Sequence, residues 1–233
     1  MKKLLGALLV ALLALFVALP STAGGFVVSV RNSTDTAGTA RFTCVNSYAV
    51  DRANALFQWP LSDASGSLVA ADVSGQNHSG TYYTAVVASS AAPVACPRDA
   101  GTAWSLSGQG ERVWYPVALT APQVFSEEIW FQIPAGFTSG GQIMDFGNNA
   151  GSSTAPSTAY DRELWVEPSG TVNFGVFNGG RNVISTAAGT NYQDGAWHHV
   201  VATISGAGMK LYVDGALKAS SANTVAEAGT GYW

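Results

Sequence analysis

Charge is scarce in this chain of 233 residues: Lys, Arg, Asp and Glu together make up 11% of it, against about 25% in an ordinary soluble domain. The net charge is −4, with no run of Lys or Arg, which excludes the basic stripe that a nucleic-acid partner requires. Two cysteines and three histidines leave no zinc-ligand spacing and no redox pair with a neighbouring histidine. A Gly-x-x-x-x-Gly-Lys phosphate loop and a Gly-x-Ser-x-Gly elbow are both missing, so no nucleotide cofactor or acyl-transfer nucleophile is indicated. Beyond the N-terminus there is no second long apolar run, and there is no internal repeat.

What is present begins with an export signal. Lys2 and Lys3, the apolar residues 4–19 and the small residues to Ala23 follow the positive, hydrophobic, small-residue order of a secretory signal peptide, with cleavage expected after Ala23. The alternative, an uncleaved anchor, is disfavoured because the run falls short of the ~20 residues that cross a bilayer as a helix. Cleavage would leave no transmembrane segment and make the chain two charges more negative. In an exported protein the pair Cys44 and Cys96 is expected to form a disulfide, worth at most about 4 kcal/mol through loop closure. Residues 24–55 read as an N-terminal extension with a candidate strand pair, its first strand at 24–30 and a polar loop after it. A surface poor in charge, built from Ser, Thr, Asn and Gly, suits a secreted or cell-surface location.

Alternation of period two dominates the rest. Val200, Ala202 and Ile204 share one side of a strand, His199, Val201 and Thr203 the other; Leu211 and Val213 oppose Lys210 and Tyr212 on the next. Asp214-Gly215 then predicts a type I′ turn, because both of its positions tolerate positive φ. The same pattern sets Ile129, Phe131 and Ile133 against Glu128, Trp130 and Gln132, and Leu164 and Val166 against Glu163, Trp165 and Glu167. Twenty-six glycines supply turns. The expectation is an all-β antiparallel sandwich over residues 56–233.

Gly195-x-Trp197-His198-His199-Val200, followed by Leu211-Tyr212-Val213-Asp214-Gly215, resembles the laminin-G-like, concanavalin-A-like jelly-roll superfamily. Phe57-Gln58-Trp59-Pro60-Leu61 resembles its opening strand. Asp72-Val73-Ser74-Gly75 with Gly80 resembles a turn of such modules, and Trp104-Ser105-Leu106-Ser107-Gly108 and Phe125 to Phe131 resemble two further strands. The resemblance implies a jelly roll in which the Trp-His-His segment is structural. Family members continue past Gly231-Tyr232-Trp233 with closing strands, so the resemblance implies a module incomplete at its C-terminus. It also implies calcium as a candidate cofactor, since related sandwiches bind it at the rim, and Asp145, Asn148 and Asn149 offer the oxygen ligands it needs. The same residues would otherwise form a polar turn.

Catalysis is not expected. Glu163 and Glu167 sit roughly 13 Å apart along an extended strand, too wide for a glycosidase pair; Glu127 and Glu128 face opposite ways; and the Glu-x-Asp-x-x-Glu pattern of hydrolytic relatives is absent. His198 and His199 point to opposite faces and cannot grip one ion. Trp165, flanked by carboxylates, is a candidate aromatic platform for a sugar, with Trp114, Tyr115 and Trp130 as weaker ones. Asp161, Arg162 and Arg181 are candidate ligand-binding groups or members of surface ion pairs. The leading expectation is a non-catalytic binding module for a glycan or an extracellular protein; a structural or adhesive surface protein is second, and a glycoside hydrolase a distant third.

Overall fold

The computed structural model describes residues 54–83, 88–89, 103–106, 110–150 and 157–233. The signal segment 1–23, nearly all of the extension 24–55 and the Cys44–Cys96 pair lie outside the described residues. Within them every regular element is a strand.

Six short strands come first: β1 (Val69–Ala70), β2 (Gly80–Tyr82), β3 (Ala88–Ser89), β4 (Ala103–Trp104), β5 (Val113–Trp114) and β6 (Leu119–Thr120). Eight longer strands follow: β7 (Phe125–Gln132), β8 (Gly141–Gly147), β9 (Tyr160–Val166), β10 (Val172–Phe177), β11 (Arg181–Ser185), β12 (Trp197–Ser205), β13 (Gly208–Val213) and β14 (Ala216–Ser221), before the short β15 (Thr230–Gly231). The long strands form two four-stranded antiparallel sheets, ordered β11-β10-β9-β8 and β14-β13-β12-β7. This is the jelly-roll sandwich that the alternation predicts. Segment 57–61, expected as an opening strand, is irregular. Pro60 has no amide to donate to a ladder, and Trp59 is held instead by a hydrogen bond from its Nε1 to the His78 carbonyl (2.8 Å).

The core lies between the two large sheets. Leu164, Val166, Val172 and Phe174 from one sheet meet Val200, Ala202, Ile204, Leu211 and Val213 from the other, all at 0–1% exposure. Each contributes up to about 3 kcal/mol by leaving water. Strand β12 alternates strictly between buried and half-buried positions, so a slip of one residue would turn this whole set outward.

The β13–β14 turn has the expected geometry, with φ of 53° at Asp214 and 74° at Gly215. The Asp214 carboxylate does more than favour the turn: it accepts the His199 amide (3.0 Å) and bonds His198 Nδ1 (2.9 Å), while His198 Nε2 bonds Asp194 (3.1 Å). Buried His198 thereby ties two loops to the end of β12. His199 faces the other way, stacks on Trp130 (centroids 4.7 Å apart) and bonds Glu128 (2.7 Å). Thr230–Gly231 pairs with Leu119–Thr120, and Tyr232 bridges Gly147 at the edge of β8.

Candidate functional site

Strand β9 carries two sets of polar residues with opposite fates. At its start, Asp161 and Arg162 are both buried, with the guanidinium side chain at 1% exposure. Irregular register opposite Met144 and Phe146 and a φ of 53° at Arg162 mark a bulge, which turns consecutive side chains into the sandwich. Arg162 donates to Asp161, to the Pro122 carbonyl from Nε (3.0 Å) and Nη2 (2.8 Å), and to the Glu227 carbonyl (2.9 Å). Its guanidinium carbon lies 5.4 Å from the ring centroids of both Phe125 and Phe146. Asp161 in turn accepts the amides of Arg162 (2.8 Å), Phe177 (2.7 Å) and Glu227 (3.1 Å). Of the two expectations for this pair, an ion pair is what forms, but in the interior rather than on the surface. Both side chains lie in the interior.

Farther along β9, alternation is regular and Glu163 and Trp165 emerge on the outer face between the buried Leu164 and Val166. Trp165 Nε1 donates to Glu167 Oε1 (2.7 Å), which fixes the indole. Asn173 and Gly175 of β10 lie across from Trp165 and Glu163. A Cβ on Gly175 would come within 3.0 Å of the indole ring carbons, so glycine allows the ring to lie down on the sheet. Arg181 of β11 reaches over the ring, 5.5 Å from its centroid, and among the described residues no carboxylate pairs with it. Gln142 of β8 donates to Glu163 Oε1 (3.2 Å).

These side chains border a shallow, open depression of about 320 Å³, which Gly140, Gly141 and Pro168 also line. It offers an apolar floor, two carboxylates each with one uncommitted oxygen, and one guanidinium with free donors. Such a mixture suits a hydroxyl-rich ligand whose C–H face lies on the indole. Of the sequence-derived candidates, Trp165 and Arg181 come together here, whereas Asp161 and Arg162 do not.

Of the candidate calcium ligands, Asn148 and Asn149 are held by hydrogen bonds within one loop. Asn148 Oδ1 accepts the Thr158 (2.9 Å) and Ala159 (3.3 Å) amides and its Nδ2 donates to Thr158 Oγ1 (2.9 Å), so the side chain closes a polar loop. The Asn149 amide donates to Ser157 Oγ (3.2 Å). Among the described residues no group of three His, Cys, Asp or Glu side chains is placed to hold a metal ion. Asp145 is half-buried; burial, with the nearby Glu163 charge, pushes its pKa up to about 6.

Glu127 is the polar residue that sequence reasoning passed over. It is 4% exposed and neither carboxyl oxygen has a hydrogen-bond partner. Burial pushes its pKa well above the carboxylate range; Arg162 opposes the shift, and Asp145 and Asp161 add to it. The adjacent Glu127-Glu128 pair signalled only that one of the two must face inward. Of the other aromatic candidates, Trp114 and Tyr115 are buried, and Trp130 is engaged with His199.

Residues 106–233 match the family model of the concanavalin A-like lectin/glucanases superfamily. The chain belongs to that superfamily. No curated protein matches it in sequence. Among solved structures it is similar to domains LG4-5 of the mouse laminin alpha1 chain, with 20% identity over 57% of this chain and 39% of that one (TM-score 0.34). An endo-beta-1,4-glucuronan lyase from the fungus Trichoderma reesei is similar at 16% identity over 51% of this chain and 61% of that one (TM-score 0.32). A Bacillus licheniformis beta-glucanase is similar at 11% identity over 75% and 74% (TM-score 0.36). The chain thus spans less than two thirds of the first two structures.

Proposed function

We propose that this superfamily member is a secreted or surface-held, non-catalytic module that binds a glycan on the outer face of the β11-β10-β9-β8 sheet. In this reading residues 1–23 are a cleaved signal, 24–55 an N-terminal extension and 56–233 the binding module. The observation that carries it is the fixed indole: Trp165 is pinned by Glu167, laid over Gly175 and bordered by groups that donate to and accept from hydroxyls. Stacking a sugar on a ring that is already oriented spares the ordering cost of binding. Among the described residues no helix is long and apolar enough to span a membrane, which is compatible with a module that acts outside the cell.

The test is saturable retention of the purified protein on a panel of immobilised glycans, repeated with Trp165→Ala. Binding that disappears in the variant while its far-UV circular dichroism is unchanged supports the reading. Binding that survives moves the site elsewhere, and absence of any glycan binding removes the function.

A further inference from the structure

We propose that the Trp165 depression selects saccharides bearing a free amine, of the glucosamine type, over neutral and acidic ones. This rests on the glycan-binding reading and adds a ligand class to it. The first support is the protein's own cation. Arg181 lies over the indole at 5.5 Å and has no acidic partner among the described residues, so the ring face already accepts a positive group. Cation–π attraction of this kind is effective within about 6 Å of the ring centroid. The guanidinium occupies the place that a ligand ammonium would take.

The second support is the sign of the surroundings. Glu163 and Glu167 line the depression on either side of Trp165. One oxygen of each is occupied, by Gln142 and by the indole N–H respectively, which leaves the other to accept from an ammonium. Two carboxylates against one guanidinium favour a cation and oppose a uronate or sulfated sugar, whose charge would meet Glu163 and Glu167. The third support is shape. The depression is small and open, which suits one or two sugar units of a longer polymer better than an enclosed small molecule.

The experiment is calorimetric titration of the purified protein with tetramers of glucosamine, of N-acetylglucosamine and of galacturonate, and with a lysine-rich peptide. The glucosamine tetramer is expected to bind about ten-fold more tightly than its acetylated counterpart, with an advantage that shrinks in about 0.5 M salt. Galacturonate should not bind measurably. Glu163→Gln should bring the glucosamine and N-acetylglucosamine tetramers within about three-fold of each other, since one ionic contact is removed. Arg181→Met should tighten glucosamine binding by about two- to five-fold, because an exposed internal cation–π competitor is lost.

Equal binding of free and acetylated tetramers, still abolished by Trp165→Ala, overturns charge selection and leaves the glycan reading standing. No Trp165-dependent saccharide binding at all overturns both. A lysine-rich peptide that binds as tightly as the amino sugar, through Trp165, overturns the saccharide class. Weaker glucosamine binding in Arg181→Met overturns the role given to that arginine.

Discussion

Arg162 and Arg181 sit in the same sheet and look alike in sequence, yet they do opposite work. Arg162 is buried and spends its donors on Asp161, Pro122 and Glu227; Arg181 is exposed, with its guanidinium over the Trp165 ring and no acidic partner among the described residues. Alternation explains the difference, because Arg162 is in phase with the buried Leu164 and Val166 whereas Arg181 is out of phase with the buried Ile184; the bulge then turns Asp161 inward beside Arg162. A saturated buried arginine holds loops together; an exposed one beside an aromatic ring is free to answer a ligand.

The sharpest way to break this comparison is to remove each cation. Arg162→Met strands Asp161 without its counter-charge, so unfolding free energy by urea titration should fall by about 3–5 kcal/mol, whereas Arg181→Met should stay within about 0.5 kcal/mol. Similar losses in the two variants would refute the division of roles. A second, opposite effect is expected beside Arg162. Glu127→Met removes two unpartnered buried oxygens and should raise stability by about 1–3 kcal/mol at neutral pH. Because the fold raises the Glu127 pKa, the carboxyl is favoured in its neutral form. Its contribution is therefore greatest at low pH and declines as pH rises through the folded value. The stability of Glu127→Met should lack that decline.

On the outer face, Gly175→Val should tilt the indole. The expected signs are a changed near-UV circular dichroism spectrum and about ten-fold weaker glycan binding, of the order of one lost stacking contact, with far-UV circular dichroism retained. An unaltered near-UV spectrum would mean that the ring does not rest on this glycine. The smallest effect belongs to Asp145. Its pKa rises from 3.8 to about 6, so the stability it confers is present below 3.8 and is lost across that interval. Asp145→Asn should flatten the thermal midpoint there by less than about 4 °C, as calorimetry at several pH values would show.

Much of this was legible beforehand. Period-two alternation marked β7, β9, β12 and β13, and Asp214-Gly215 marked a type I′ turn, because both signals are local. The spacing of Glu163, Trp165 and Glu167 put them on one face for the same reason. The partners across strands were not legible: Gly175, Gln142 and Arg181 join Trp165 only through the register of β8 to β11. Residues 57–61 misled because they resemble the opening strand of the family, while Pro60 and the tie from Trp59 to His78 favour an irregular path.

The sequence by itself determined that this chain builds strands, where they turn and which face of each is apolar, since those properties depend on neighbours one or two residues away. Tertiary structure decided which charged groups are spent inside. Only the bulge at Arg162 brings Asp161 inside to complete the buried ion pair, and only the register between strands brings Arg181 to the Trp165 ring; both depend on contacts between residues far apart in the chain.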